Sequence, residues 1–105
     1  MFPCPPEYHF AKLFVGIKCE QIEHDLNIKY LDEDATAKEI TCFLQQNNIL
    51  KKFKDKPQWI MDAGVYDEVI KVLRCAKDQG IKLEMTADEY VELLRKKLRK
   101  HTFVE

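Results

Sequence analysis

Cysteine and histidine carry the most specific chemistry this sequence could offer, and two pairs of them share a spacing. Cys4 stands five positions before His9, and Cys19 five before His24. Two thiolates and two imidazoles are a donor set for tetrahedral zinc. Five positions along a helix rotate a side chain by about 140°, so both pairs would have to leave helical geometry to meet at one ion. The expectation is no metal and no cofactor. The four dispersed cysteines, Cys4, Cys19, Cys42 and Cys75, then read as reduced, mostly buried, small apolar residues.

Catalytic patterns are missing from the sequence. It has no Gly-rich phosphate loop, no Gly-x-Ser-x-Gly elbow, and no histidine spaced to activate a cysteine. Glu20 and His24, four apart, read as a solvated helical pair. The chain is expected to be a binding protein and not an enzyme.

Three stretches could bind. Pro5-Pro6-Glu7-Tyr8 fits the Pro-Pro-x-Tyr pattern that WW domains take in extended polyproline form. The competing reading has Pro5 and Pro6 starting a helix that packs Tyr8 and Phe10 on the core. Lys51, Lys52, Lys54 and Lys56 form a basic, turn-like stretch, and Arg95, Lys96 and Arg99 form a basic face on the last helix. The last helix would suit an acidic protein, and both basic segments together would suit nucleic acid. Another protein is the first partner expected, with nucleic acid and a second copy of the chain as the other classes.

The totals frame these candidates. A chain of 105 residues, 46% hydrophobic and 33% charged, fits one globular domain spanning 1–105. The net charge of −1 is unevenly spread: residues 1–50 hold four lysines against eight acids, and residues 51–105 hold thirteen basic groups against ten acids. Such asymmetry orients a partner or a second copy. No run approaches the roughly 18 apolar residues of a membrane span, and the start lacks a basic segment followed by an apolar one. The expected location is the cytoplasm, with the nucleus as the alternative.

Helical signals dominate the elements that must position these groups. Phe10, Leu13, Phe14, Ile17, Ile22 and Leu26 follow helical spacing over 7–27, against a competing alternation at 12–19 that would make a strand. Asp32-Glu33-Asp34 reads as a loop before a Thr36–Glu39 capping box. Ile40, Phe43 and Leu44 continue that helix to a stop at Asn47-Asn48. Residues 57–62 read as a short strand, a hairpin or a helical turn, with Trp59 in the core. Val65, Val69, Val72, Leu73 and Ala76 form the next stripe, ended by Gly80 as a left-handed cap. Thr86 and Glu89 make a second box, and Tyr90, Val91, Leu94 and Leu98 carry the last stripe. The predicted fold is mainly α: about four helices in two packed hairpins, the second folded around Gly80.

Residues 63–94 resemble a unit of the pentatricopeptide and tetratricopeptide helical-repeat families. Ala63-Gly64, the Val65-to-Ala76 stripe, Gly80-Ile81-Lys82 at the bend, and Tyr90 with Leu93-Leu94 carry the resemblance. It implies a helical hairpin. In the pentatricopeptide family a polar residue after the aromatic reads an RNA base; the matching position here is Val91, which has no hydrogen-bonding group. Residues 22–61 are similar to a winged helix-turn-helix, with Ile22–Ile28 as first helix, Thr36–Asn47 as reading helix and Lys51–Met61 as wing. The function expected from all of this is a macromolecule-binding module, an adaptor, inhibitor or regulatory subunit, with nucleic-acid binding as the alternative.

Overall fold

Pro5 and Pro6 stand where a missing N–H is harmless, and α1 (Pro6–Leu26) starts there. It stops at Asn27, which takes the left-handed conformation at φ 57°. The Asn27 amide then donates to the His24 carbonyl and the Ile28 amide to that of Glu23, the paired bonds of a Schellman stop. Four further helices follow: α2 (Glu33–Gln46), the single turn α3 (Ile49–Lys52), α4 (Ala63–Asp78) and α5 (Ala87–Thr102). A 3-10 turn, Pro57–Met61, joins α3 to α4. This computed structural model describes residues 5–54 and 56–102, without the side chains of 99–102.

Carboxylates set the starts of α2 and α4. Asp32 accepts from the Ala35 amide at 3.1 Å and Asp62 from the Val65 amide at 3.0 Å, so each satisfies a donor left free by the first turn. Glu33 and Asp34 therefore belong to the helix, where negative charge suits the positive end of the dipole. The box expected at Thr36 does not form. Thr36 lies one turn inside α2, fully buried, and its hydroxyl has no hydrogen-bond partner among the described residues.

The bundle is mainly α, as its periodicity implies, and α2 is its centre. The closely packed pairs are α1 with α2, α2 with α4, α1 with α4, α2 with α3, and α4 with the 3-10 turn. Phe14 and Trp59 stack in the core with ring centroids 5.4 Å apart, enclosed with Ile22, Ile40, Leu44, Val69 and Leu73. Each such side chain adds about 1.5–3 kcal/mol by leaving water. Residues 57–61 are helical instead of extended, and 12–19 lie inside α1.

Two expectations about packing change. On α1 the buried face runs through Ala11, Phe14, Val15, Ile22 and Leu26, while Leu13 and Ile17 are exposed at 42% and 57%. Apolar residues surround this helix, so its periodicity did not single out one face. The second hairpin also differs. The buried side of α4 meets α2 and α1, and eight residues separate it from α5, which is in none of the packed pairs.

Candidate functional site

The connection to α5 is built by backbone pairing. Gly80, at φ 92°, ends α4, with its own amide bonded to the Lys77 carbonyl and the Ile81 amide to that of Ala76. The chain then runs extended and meets the matching segment after α1. Leu31 and Glu84 form an antiparallel bridge, flanked by Asp32 N–H to the Leu83 carbonyl at 2.8 Å and Met85 N–H to the Tyr30 carbonyl at 2.6 Å. Leu83 is buried at the bridge. The side chain of Glu23 accepts from the Leu31 amide at 3.0 Å and holds the loop from the other side.

Here the expected capping box is present in full. The Glu89 amide donates to Thr86 Oγ1 at 3.2 Å, and Glu89 Oε1 accepts from the Thr86 amide at 3.0 Å. Lys82 Nζ reaches the same carboxylate at 2.7 Å and, with the Thr86 amide, holds it below the usual range. Tyr90 stacks on Tyr30 with centroids 4.6 Å apart. These contacts pin the first turns of α5 to the loop between α1 and α2.

Beyond that anchor, α5 stands over the body with clefts on both sides. One cleft, of about 370 Å³, is bordered by Lys12, Asp34, Met85, Leu93 and Lys96. The other, of similar size, is bordered by Cys19, Glu23, Tyr30, Leu93 and Leu94. Leu93 points between them and is half-buried. The expected apolar stripe is split: Tyr90 lies on the anchored side and Leu94 borders the second cleft while 39% exposed, whereas Val91 is 44% exposed and Leu98 60%. Branched apolar side chains of α5 are thus exposed to water beside its anchored side.

The basic residues split between two ends of the molecule. Lys51, Lys52, Lys54 and Lys56 are all exposed around α3, and Lys52 borders a cleft with Phe43, Asn47 and Phe53 at the C-terminal end of α2. Arg95 and Lys96 are exposed on α5, whose cleft borders the N-terminal end of α2 at Asp32 and Glu33. About 21 Å of helix separates those ends. Arg99 belongs to α5, but its side chain lies outside the described residues, as does Cys4 entirely.

No protein-family model matches the chain, and neither a curated protein nor a solved structure matches it.

The remaining candidates take structural places. Pro6, Glu7 and Tyr8 form the first turn of α1, so the Pro-Pro-x-Tyr stretch is not in the extended form a WW domain grips. Tyr8 packs against the core and its hydroxyl approaches Asp34 at 3.4 Å. The supposed reading helix, Thr36–Asn47, coincides with α2; it buries Thr36, Ala37, Ile40, Thr41, Phe43 and Leu44 and exposes Lys38, Cys42, Gln45 and Gln46. Cys42 and Cys75 are exposed and Cys19 half-buried, against the expectation of burial. Among the described residues no three metal-ligating side chains converge.

Sequence reasoning missed one polar cluster. The Tyr66 hydroxyl on α4 donates to Asp25 Oδ2 at 2.5 Å, Arg74 donates to the Asp25 carbonyl at 3.2 Å, and Lys77 to the Leu26 carbonyl at 3.1 Å. Two cations thus sit on the negative end of α1. The Tyr66 bond, then His24 and Arg74, hold the Asp25 carboxyl below its usual range against its partial desolvation. Burial, then Asp25, pushes the Tyr66 phenol upward. Long-range pairs such as this leave no local signal.

Proposed function

We propose that this chain is a non-enzymatic protein-binding module that presents α5 to its partner. The observation that carries the reading is the orientation of that helix: Tyr90 and Leu93 face the body, Leu94 borders the cleft at its edge while 39% exposed, and Val91 and Leu98 are 44% and 60% exposed. Leaving such a ridge exposed forfeits the stabilisation its burial would give, and a partner that covers it restores that stabilisation. Arg95 and Lys96 on the same helix make acidic surface the complementary partner chemistry. Separation of the lysines around α3 from these two, and an exposed face of α2 whose one cation is Lys38, favour this reading over nucleic-acid binding.

A photocrosslinking residue placed at position 94 tests it, with one at Lys71 on exposed α4 surface as control. In living cells the reading expects a discrete protein adduct from 94 and none of that mass from 71. Absence of any adduct at 94 would remove the docking role of α5.

A further inference from the structure

We infer that the occupant of the α5 ridge is a second copy of this chain, lying antiparallel to the first across a two-fold axis. The inference rests on the reading of α5 as the docking helix and names its partner.

Spacing is the first support. Ala87, Val91, Leu94 and Leu98 follow one another at intervals of four, three and four, the repeat of a coiled-coil seam. All four are exposed, with Leu94 at the edge of the cleft against the body, and Leu93, which falls outside the repeat, borders the clefts on both sides of the helix. The helix therefore carries two faces, one for its own domain and one with the period of a helix partner.

Charge fixes the direction. The first half of α5 contains Asp88, Glu89 and Glu92, and the second half contains Arg95, Lys96, Lys97, Arg99 and Lys100. A parallel copy would set acid beside acid and cation beside cation. An antiparallel copy sets each acidic half against a basic one and opposes the two helix dipoles. With Val91 of one copy facing Leu94 of the other, Asp88 and Arg95 come to flank the seam as opposite charges. Symmetry makes that pair occur twice. Neither residue belongs to an ion pair among the described residues, so both are available.

Size sets the strength. The seam from 87 to 98 is about 17 Å long, well short of a standard interface, so the dimer is weak and concentration-dependent.

The experiment is sedimentation of the full chain over a range of about 5 to 500 µM, at low and high salt. The wild type is expected to shift from monomer toward dimer with rising concentration, and less so at high salt. Asp88→Arg and Arg95→Asp should each weaken dimerisation about tenfold by placing like charges across the seam. An equimolar mixture of the two variants should recover wild-type association, because each then supplies the other's missing charge. Circular dichroism of each variant checks that α5 is retained, and Arg95→Asp stands if Asp88→Arg loses the helix. A monomer throughout the range, or a mixture that does not recover, overturns self-pairing. In that event a crosslink at 94 to a protein of different mass still upholds the docking helix, whereas silence at 94 removes both.

Discussion

Leu31 and Glu84 face each other across an antiparallel bridge, and that contact joins the α1–α2 connection to the α4–α5 connection. Each connection leaves a Schellman stop, at Asn27 and at Gly80, and passes through an isoleucine-lysine pair before meeting the other. The similar joints are a matched pair that lean on one another. They set where α5 begins and which of its sides meets the body.

The pairing predicts a boundary in local stability. α5 is tied to the rest through the bridge, Leu83 and the Tyr30–Tyr90 stack, while α1, α2 and α4 share the core. Amide hydrogen exchange should show α5 opening well before those three helices. Tyr90→Ala should speed exchange in α5 by removing an aromatic pair worth about 1 kcal/mol, while leaving α1 and α2 protected to the wild-type level.

Cap substitutions distinguish Asp32 from the threonine. Asp32→Ala should cost about 1 kcal/mol by releasing the Ala35 amide. Thr36→Val should be neutral or stabilising, because it replaces a buried hydroxyl without a hydrogen-bond partner. Urea unfolding of both variants checks the order, which would reverse if Thr36 were the cap.

Trp59 is the only tryptophan and is fully buried against Phe14. Its emission should be blue-shifted in the folded chain and move to the red on unfolding. Trp59→Ala should lose about 3–5 kcal/mol, a large share of the roughly 5–15 kcal/mol that holds a domain together. A thermal melt showing a small change would contradict the core position.

The Asp25–Tyr66 bond makes stability fall at both pH extremes. Asp25 has a folded pKa below its usual 3.8, so its contribution is present above that value and lost as pH falls through the depressed one. Tyr66 has a folded pKa above its usual 10.0, so its contribution is present below pH 10 and lost as pH rises beyond it. Tyr66→Phe should flatten both limbs and let the Asp25 carboxyl rise toward its ordinary value, read by NMR titration. An unchanged Asp25 titration would rule out the bond.

Thiol reactivity should follow exposure. Cys42 and Cys75 are exposed, whereas burial, then Glu23 and Glu33, push the Cys19 thiol upward. Alkylation mapped by mass spectrometry should label Cys42 and Cys75 first and Cys19 last, with labelling of Cys19 in the first group as the contrary result.

The sequence by itself determined the helices and several of their ends. Prolines at 5 and 6, Gly80 in left-handed geometry, and the reciprocal Thr86–Glu89 box act through neighbouring backbone groups, so their signals are local and could be read directly. The stripe of α4 was equally legible because Val69, Leu73 and Ala76 occupy one face only. Tertiary structure decided the rest. Asp32 outcompeted Thr36 as the cap of α2 once Thr36 was needed at the buried centre. On α1, surrounded by apolar residues, contact with α2 and α4 selected Ala11 and Val15 over Leu13 and Ile17. The fate of α5 was beyond local reading: its amphipathic period declares that one side avoids water, yet periodicity carries no information about what covers that side. The bridge at Leu31 and Glu84 set Leu93 between the clefts, Leu94 at the edge of one and Val91 in water, because backbone pairing between segments fifty residues apart fixes the helix before its side chains can choose.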